Sequence, residues 1–305
     1  TVPAPTPAPT PVGGPEGSFT LAVENIIPPL FVPALGGVGH EQDYASWGMV
    51  EFLIYADFKE QFDPRISIAE QWTLAPDNSK VTFKIRKGIK FHKNWGELSA
   101  DDVVWSMNNA IRTGSTFWGA GGLQQWMGPW VKVDDYTAEM NFKSFNPRWT
   151  LVLSNLSTHQ PWIYPRKAVD QLGEAKANVT PVGSGPFENV IYRASDIVTV
   201  RAFNGGKHWR VKPAVEFMHI LEIPEALARV AAFRVGEADI IAVPNKNIAD
   251  LKKQVPGSYE QPARGTDWPH VVYFTGNYWA DSTCGGDAKT SWKADAKFPR
   301  PGFKP

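Results

Sequence analysis

A single cysteine, Cys284, excludes an internal disulfide, and its neighbours Gly285, Gly286 and Asp287 form neither a metal-ligand nor a nucleophile pattern, so it reads as a free thiol in a loop. Charge of one sign is missing too: 31 Lys plus Arg balance 31 Asp plus Glu. Without the basic excess that phosphate backbones demand, nucleic acid is not an expected partner. Long apolar runs are absent, because Pro28, Pro29 and Pro33 break the best candidate, between Ile26 and Val38, short of the roughly 18 residues of a membrane-spanning helix. His92, His159, His208, His219 and His270 are scattered, with no H-E-x-x-H, no Cys partner and no carboxylate at ligand spacing, so no metal is expected. Gly119, Gly121 and Gly122 form a glycine-rich loop, but no G-K-[ST] follows, and no nucleotide or other cofactor is implied.

What is present is a chain of 305 residues, 43% hydrophobic, long enough for one or two cores. Its first 18 residues are a Pro/Thr/Ala tract too poor in apolar side chains to pack, which reads as an extended tether. They carry no initiator Met, basic region or apolar stretch, so any signal peptide is expected to have been removed already or left out of the sequence. Beyond the tether, Phe19 to Val23 predicts a strand and Gln42 to Tyr55 a helix with Met49, Val50, Leu53 and Ile54 on its apolar side. Pro76 to Ser79 is a turn cluster, after which Val81, Phe83 and Ile85 alternate with Thr82, Lys84 and Arg86, the pattern of a hairpin with one buried face. Gly88 offers a left-handed turn residue, and Ser99 with Asp102 caps a helix carrying Val103, Met107 and Ile111.

Two more hairpins follow, one from Val131 to Phe142 about Asp134 and Asp135, the other pairing Phe187 to Tyr192 with Ile197 to Phe203. Val215 to Leu221 predicts a strand. Leu227, Val230, Ala231 and Val235 predict a helix ended by Gly236, and Asp239 to Val243 a further strand. That order is a right-handed βαβ crossover, so parallel and hairpin-joined strands together give a mixed α/β architecture. The adjacent carboxylates Asp101–Asp102 and Asp134–Asp135 are explained by capping and turn formation, and neither pair is assigned acid/base work. Thirteen Trp is a high count, since large planar faces are used either in a core or against a ligand. Trp72 and Trp105 fit the core, whereas Trp118, Trp126 and Trp130 lie in a Gly-rich stretch without clear periodicity and are candidates to line a cleft.

Four stretches, in the same order, resemble the family 5 extracellular solute-binding proteins of ABC importers, of the dipeptide- and oligopeptide-binding type. Ile68 to Ser106 is similar to that family's "AE-x-W", aspartate turn, "R-K-G-hydrophobic-K-F-H" and "D-V-hydrophobic-x-S" run. Pro181 to Phe187 is similar to its PVGTGPY turn, Asn204 to Trp209 to its N-x-x-Y-W segment, and Ala228 to Ile240 to its "A-A-L-x-x-G-E-x-D" helix. The resemblance covers roughly Val23 to Tyr278 and implies a periplasmic-binding-protein-like fold, type II and cluster C-like. By it, residues 19–60 and 182–260 form a discontinuous main lobe, 61–181 an inserted α+β subdomain, and 261–305 a hinge crossing and the start of a second lobe that is largely missing. About 27 residues remain from Trp279 onward, rich in Lys, Gly, Asp and Pro, so an N-terminal portion of a longer protein is expected.

The resemblance further implies a non-enzymatic protein that captures a solute between two lobes and delivers it to the membrane subunits of an ABC permease. A monomer is expected, periplasmic or extracellular, with a lipid anchor as an open alternative. Peptide is the first expected ligand and oligosaccharide the second, with nickel or an opine-like solute also open. Glu24 and Asn25 would approach the cleft from the first lobe, and Trp268, Asn277, Tyr278 and Trp279 would bracket the hinge. Two other classes stay open on the residues alone: a glycan hydrolase, which would need inward carboxylates roughly 5 to 10 Å apart, and a surface adhesion protein carrying the Pro-rich spacer.

Overall fold

The computed structural model describes residues 14–36, 47–57, 61–157 and 160–258. Most of the tether, the first part of the Gln42 to Tyr55 helix, His159, His270, Cys284, the strand expected after Pro262, and the candidates Trp268, Asn277, Tyr278 and Trp279 lie outside the described residues. From the amino end the elements are β1 (Ser18–Val23), β2 (Ala69–Leu74), β3 (Lys80–Ile85), α1 (Ala100–Ala110), α2 (Ala120–Trp126), β4 (Met127–Asp134) and β5 (Thr137–Phe142). The short helices α3 (Trp149–Val152), α4 (Arg166–Leu172) and α5 (Glu174–Asn178) follow. The chain continues through β6 (Phe187–Arg193), β7 (Ile197–Ala202), β8 (Phe217–Glu222), α6 (Ala226–Val235), β9 (Ile240–Ile241) and α7 (Asn245–Gln254).

The strands make two sheets, so the expected mixed α/β class holds. One is antiparallel, in the order β2-β3-β5-β4, and the other mixed, in the order β6-β7-β8-β1-β9. In the antiparallel sheet the period-2 pattern of β3 does what it predicts. Val81 and Phe83 are completely buried and Ile85 nearly so, while Thr82 and Lys84 turn outward to meet Glu139 and Thr137 of β5. The Ser99 N–H donates to the Asp102 carboxylate at 2.9 Å, fixing the start of α1, whose Val103, Met107 and Ala110 close over the sheet. One apolar core runs through both sheets, from Phe83 and Trp130 to Val198 and Ile220.

In the mixed sheet, β1 lies parallel to both β8 and β9, and the β8–α6–β9 crossover steps over it. Gly236 ends α6 in the left-handed conformation, φ 79°, where a Cβ would be strained.

Three expectations need correction. Trp47 to Tyr55 is not helical: Trp47 and Gly48 form a turn, and the chain then runs on without a helix, with isolated bridges Phe52 to Trp162 and Ile54 to Ser154. The segment from Met49 to Ala56 is buried on every side, a case in which apolar spacing cannot distinguish helix from extended chain. Its carbonyls are also committed elsewhere: Gly48 O accepts from Phe187, Met49 O from Gly185 and Glu51 O from Ile163. Second, α6 does not bury the stripe from Leu227 to Val235. Leu227 and Val235 are each 72% exposed, and Arg229 and Ala232 face inward. Third, β9 is only two residues long, against the expected Asp239 to Val243.

Candidate functional site

In open α/β sheets, ligands settle outside the carboxyl ends of parallel strands, where connections diverge. Here β1, β8 and β9 end together, at Val23, Glu222 and Ile241. Glu24 and Asn25 come directly after β1, and both are exposed. Their bend is held from below. The Ile26 N–H donates to the Glu222 carboxylate at 2.7 Å, the Ile223 N–H to Val23 O at 2.8 Å, and the Tyr192 hydroxyl to Ile27 O at 3.0 Å, while the Ile26 side chain is buried. Two short polar side chains therefore stand on a fixed backbone at the open edge of the sheet. Beside them Arg229 is 4% exposed and reaches from α6 across the ends of β8 and β9. It donates from Nη1 to Ile223 O (2.6 Å) and Pro224 O (2.7 Å), and from Nε to Ala242 O (2.8 Å). These bonds also explain the corrected orientation of α6, because the guanidinium selects which face of the helix turns inward.

A second polar cluster, which sequence reasoning missed, lies where the 47–56 segment crosses the turn before β6. Glu51 is fully buried, and its carboxylate accepts from Ser184 Oγ (2.9 Å), Trp209 Nε1 (3.0 Å), and Arg210 Nε (3.2 Å) and Nη2 (3.0 Å). Burial alone would raise its pKa, but the His208 N–H, the Arg210 guanidinium and the Trp209 N–H hold it below the usual carboxylate range. The Arg210 guanidinium also covers the Tyr55 ring at 4.1 Å. Burial pushes the Tyr55 phenol up to about 12.

Two buried imidazoles grip the same turn. His208 Nδ1 accepts the N–H groups of Arg210 (3.3 Å) and Val211 (3.2 Å), which places its proton on Nε2, 2.9 Å from Ser184 O. His92 mirrors this arrangement, with Nδ1 accepting from Gly183 N–H at 3.3 Å and Nε2 2.8 Å from Gly185 O. Burial pushes the His92 imidazole down to about 4. Gly183 and Gly185 have no room for a side chain, since a Cβ on either would collide with the backbone of Met49 and Gly48. The Glu51 carboxylate and both imidazoles are spent on other parts of the chain, so the cluster reads as a junction that ties the 47–56 segment to the turn before β6.

The aromatic candidates separate. Trp118 is 46% exposed. Trp126 and Trp130 are buried in the core, which removes them as cleft-lining residues. Trp130 belongs to β4, not to a loop. It stacks on Phe83 at 5.1 Å, and the Asn108 side chain bonds both its N–H and its carbonyl. Of the carboxylate pairs, Asp102 accepts from the Ser99 and Arg166 N–H groups and Asp134 from the Tyr136 N–H, while Asp101 and Asp135 share Lys132, each at 2.7 Å. Among the described residues no group of three or more His, Cys, Asp or Glu could hold a metal ion. The arrangement at the carboxyl edge offers hydrogen bonds and charge to a ligand.

The sequence pattern of the bacterial extracellular solute-binding proteins, family 5 Middle, matches residues 63–279. The chain is 29% identical to the dipeptide-binding protein of Escherichia coli strain K12, over 83% of this chain and 48% of that one. It is 28% identical to heme-binding protein A of Haemophilus influenzae, over 73% of this chain and 43% of that one. It thus spans about half the length of the curated relatives it matches. Among solved structures, its fold is similar to the oligopeptide-binding protein AppA of Bacillus subtilis in complex with a nonapeptide, with a TM-score of 0.66 at 21% identity, covering 79% of this chain and 47% of that one. The periplasmic binding protein DppA of Helicobacter pylori, in complex with a tetrapeptide, gives 0.66 at 22%, covering 80% and 50%.

Proposed function

Because the chain belongs to the bacterial extracellular solute-binding proteins of family 5, we propose that it is the solute-capturing part of an ABC-type importer, which takes a peptide from the periplasm or cell exterior and presents it to a membrane permease. The observation that carries this reading is the carboxyl edge of the mixed sheet, where Glu24 and Asn25 stand exposed on a bend fixed by Glu222 and Tyr192. Rigid presentation matters because a binding group already held in place loses little freedom when it meets its ligand. Residues 19–60 and 182–260 act as one lobe, 61–181 as an inserted subdomain, and 261–305 lead toward a second lobe. The second lobe closes over the solute, and capture requires that solute contacts favour the closed form over the open one. Peptide is favoured over oligosaccharide because Trp126 and Trp130, part of the aromatic argument for sugar, are spent on the core.

Calorimetric titration of the full chain with a panel of di- and tripeptides, alongside maltooligosaccharides, tests this. The expected result is saturable binding of peptides, recovered unchanged afterwards by mass spectrometry. Cleavage of the bound compound, or binding of oligosaccharides and not peptides, would overturn it.

A further inference from the structure

Arg229 is the buried cation of the carboxyl edge, and among the described residues its charge has no counter-ion. Three of its five N–H groups are spent on the carbonyls of Ile223, Pro224 and Ala242. The nearby carboxylates are occupied or separate: Glu222 accepts from Ile26, Asp239 accepts from Thr20 at 2.8 Å, and among the described residues none is ion-paired with Arg229. Among the described residues the two N–H groups on Nη2 have no partner. Nor is Nη2 sealed off. The buried side-chain atom left without a partner among the described residues is Gln160 Oε1, so Nη2 is within reach of solvent although the rest of Arg229 is covered.

A buried guanidinium is strongly stabilised by an anion, and its planar fork matches a carboxylate. Two further features add to the same polarity. Nη1 binds the carbonyls just ahead of α6, a helix of ten residues whose amino end carries partial positive charge. The site also lies where parallel strands end, beside Glu24 and Asn25. We infer that Arg229 Nη2 is a receptor for the carboxylate of a small ligand at the carboxyl edge of the mixed sheet. The ligand's identity as a peptide rests on the solute-capture reading above; the carboxylate site itself does not.

The test uses the full chain with 15N-labelled arginine. Acetate is titrated at constant ionic strength while the guanidinium signals are followed by NMR, with acetamide as the neutral isostere. The expected result is that one exchange-protected guanidinium signal, absent in Arg229→Lys, shifts saturably with acetate and its Nη rotation slows, while acetamide leaves it unmoved. No responding signal, an equal response to acetamide, or Nη2 rotation already slowed before acetate is added would each overturn the site. The last result would mean that a carboxylate of the chain itself fills it. If Arg229→Lys does not fold, the wild-type titration still decides, because the absence of any protected, acetate-responsive guanidinium is itself the negative result.

A second arm compares a dipeptide with its C-terminal amide by calorimetry. The free acid should bind about tenfold or more tightly than the amide, and Arg229→Met should bring the two within about twofold. Peptides that bind with no acid-over-amide preference would sink the carboxylate receptor and leave peptide capture standing. Acetate binding without peptide binding would do the reverse.

Discussion

The molecule buries two charges in opposite ways. At the junction, Glu51 is surrounded by Ser184, His208, Trp209 and Arg210, and its charge is met by the Ser184 hydroxyl and by a guanidinium and N–H groups of the 208–210 segment. At the carboxyl edge, Arg229 has among the described residues only carbonyl oxygens and keeps two N–H groups in reserve. A compensated buried charge holds a structure together, and taking away one partner strands the others. An uncompensated one at an open edge is poised to take something from outside. Close backbone approach is part of the junction, where Gly183 and Gly185 pass Met49 and Gly48.

The largest expected effect breaks the compensated side. Glu51→Ala leaves the Arg210 guanidinium, the Trp209 N–H and the Ser184 hydroxyl without their acceptor and should destabilise the fold by about 3 to 5 kcal/mol, read as a lowered urea midpoint at unchanged slope. A loss under about 1 kcal/mol would mean that the junction is not held by charge.

Acid should attack the same region next. His92 falls from 6.5 in the free side chain to about 4 when folded, so as pH drops the unfolded chain takes the proton first. The His92 contribution is intact above about pH 6.5 and lost progressively down to about 4, roughly 3 kcal/mol in all. Protonation of Nδ1 also ends its bond to the Gly183 N–H. Hydrogen exchange at pH 5 should therefore show the 183–186 turn opening before the ends of β1 and β8; the opposite order would refute this.

Arg229→Met sharpens the comparison. It orphans three carbonyls but also removes an unneutralised charge, so we expect about 1 to 3 kcal/mol by urea unfolding, less than Glu51→Ala. Equal losses would erase the distinction between the two sites. The smallest effect belongs to an exposed network: Lys132→Ala breaks contacts with Asp101 and Asp135 and should leave the urea midpoint within error.

The strands were legible in the sequence wherever turn residues bounded a period-2 run, as at Asp77 to Ser79 ahead of β3 and Ala194 to Asp196 between β6 and β7. The cap of α1 was legible because it needs only Ser99 and Asp102, three residues apart. The 47–56 segment was not, since an apolar run buried on all sides carries no periodicity that identifies it. Trp130 looked like part of a loop because of the glycines before it, whereas the Asn108 side chain, 22 residues earlier, sets it in the sheet. The Glu51 network was invisible for a related reason: its partners Ser184 and Arg210 lie 133 and 159 residues further along, and nothing in the run MVEFLIY marks that glutamate as paired. Of the candidate ligand residues, Glu24 and Asn25 fall at the open edge and Trp118 is partly exposed, whereas the inward turn of Arg229 has no local signature in an apolar-looking helix.

Strand β1 sits between β8 and β9, although nearly the whole described chain separates it from them in sequence. During synthesis the 69–142 antiparallel sheet has all its pairing partners early, while the amino-terminal strand must wait unpaired until β8, ending at residue 222, has emerged. Pairings so remote in sequence form slowly, because loop closure precedes any stabilising contact. The antiparallel sheet should thus gain protection first in pulse-labelled refolding. The waiting strand, apolar at Leu21 and Val23, is the segment that a holding chaperone would be expected to shield.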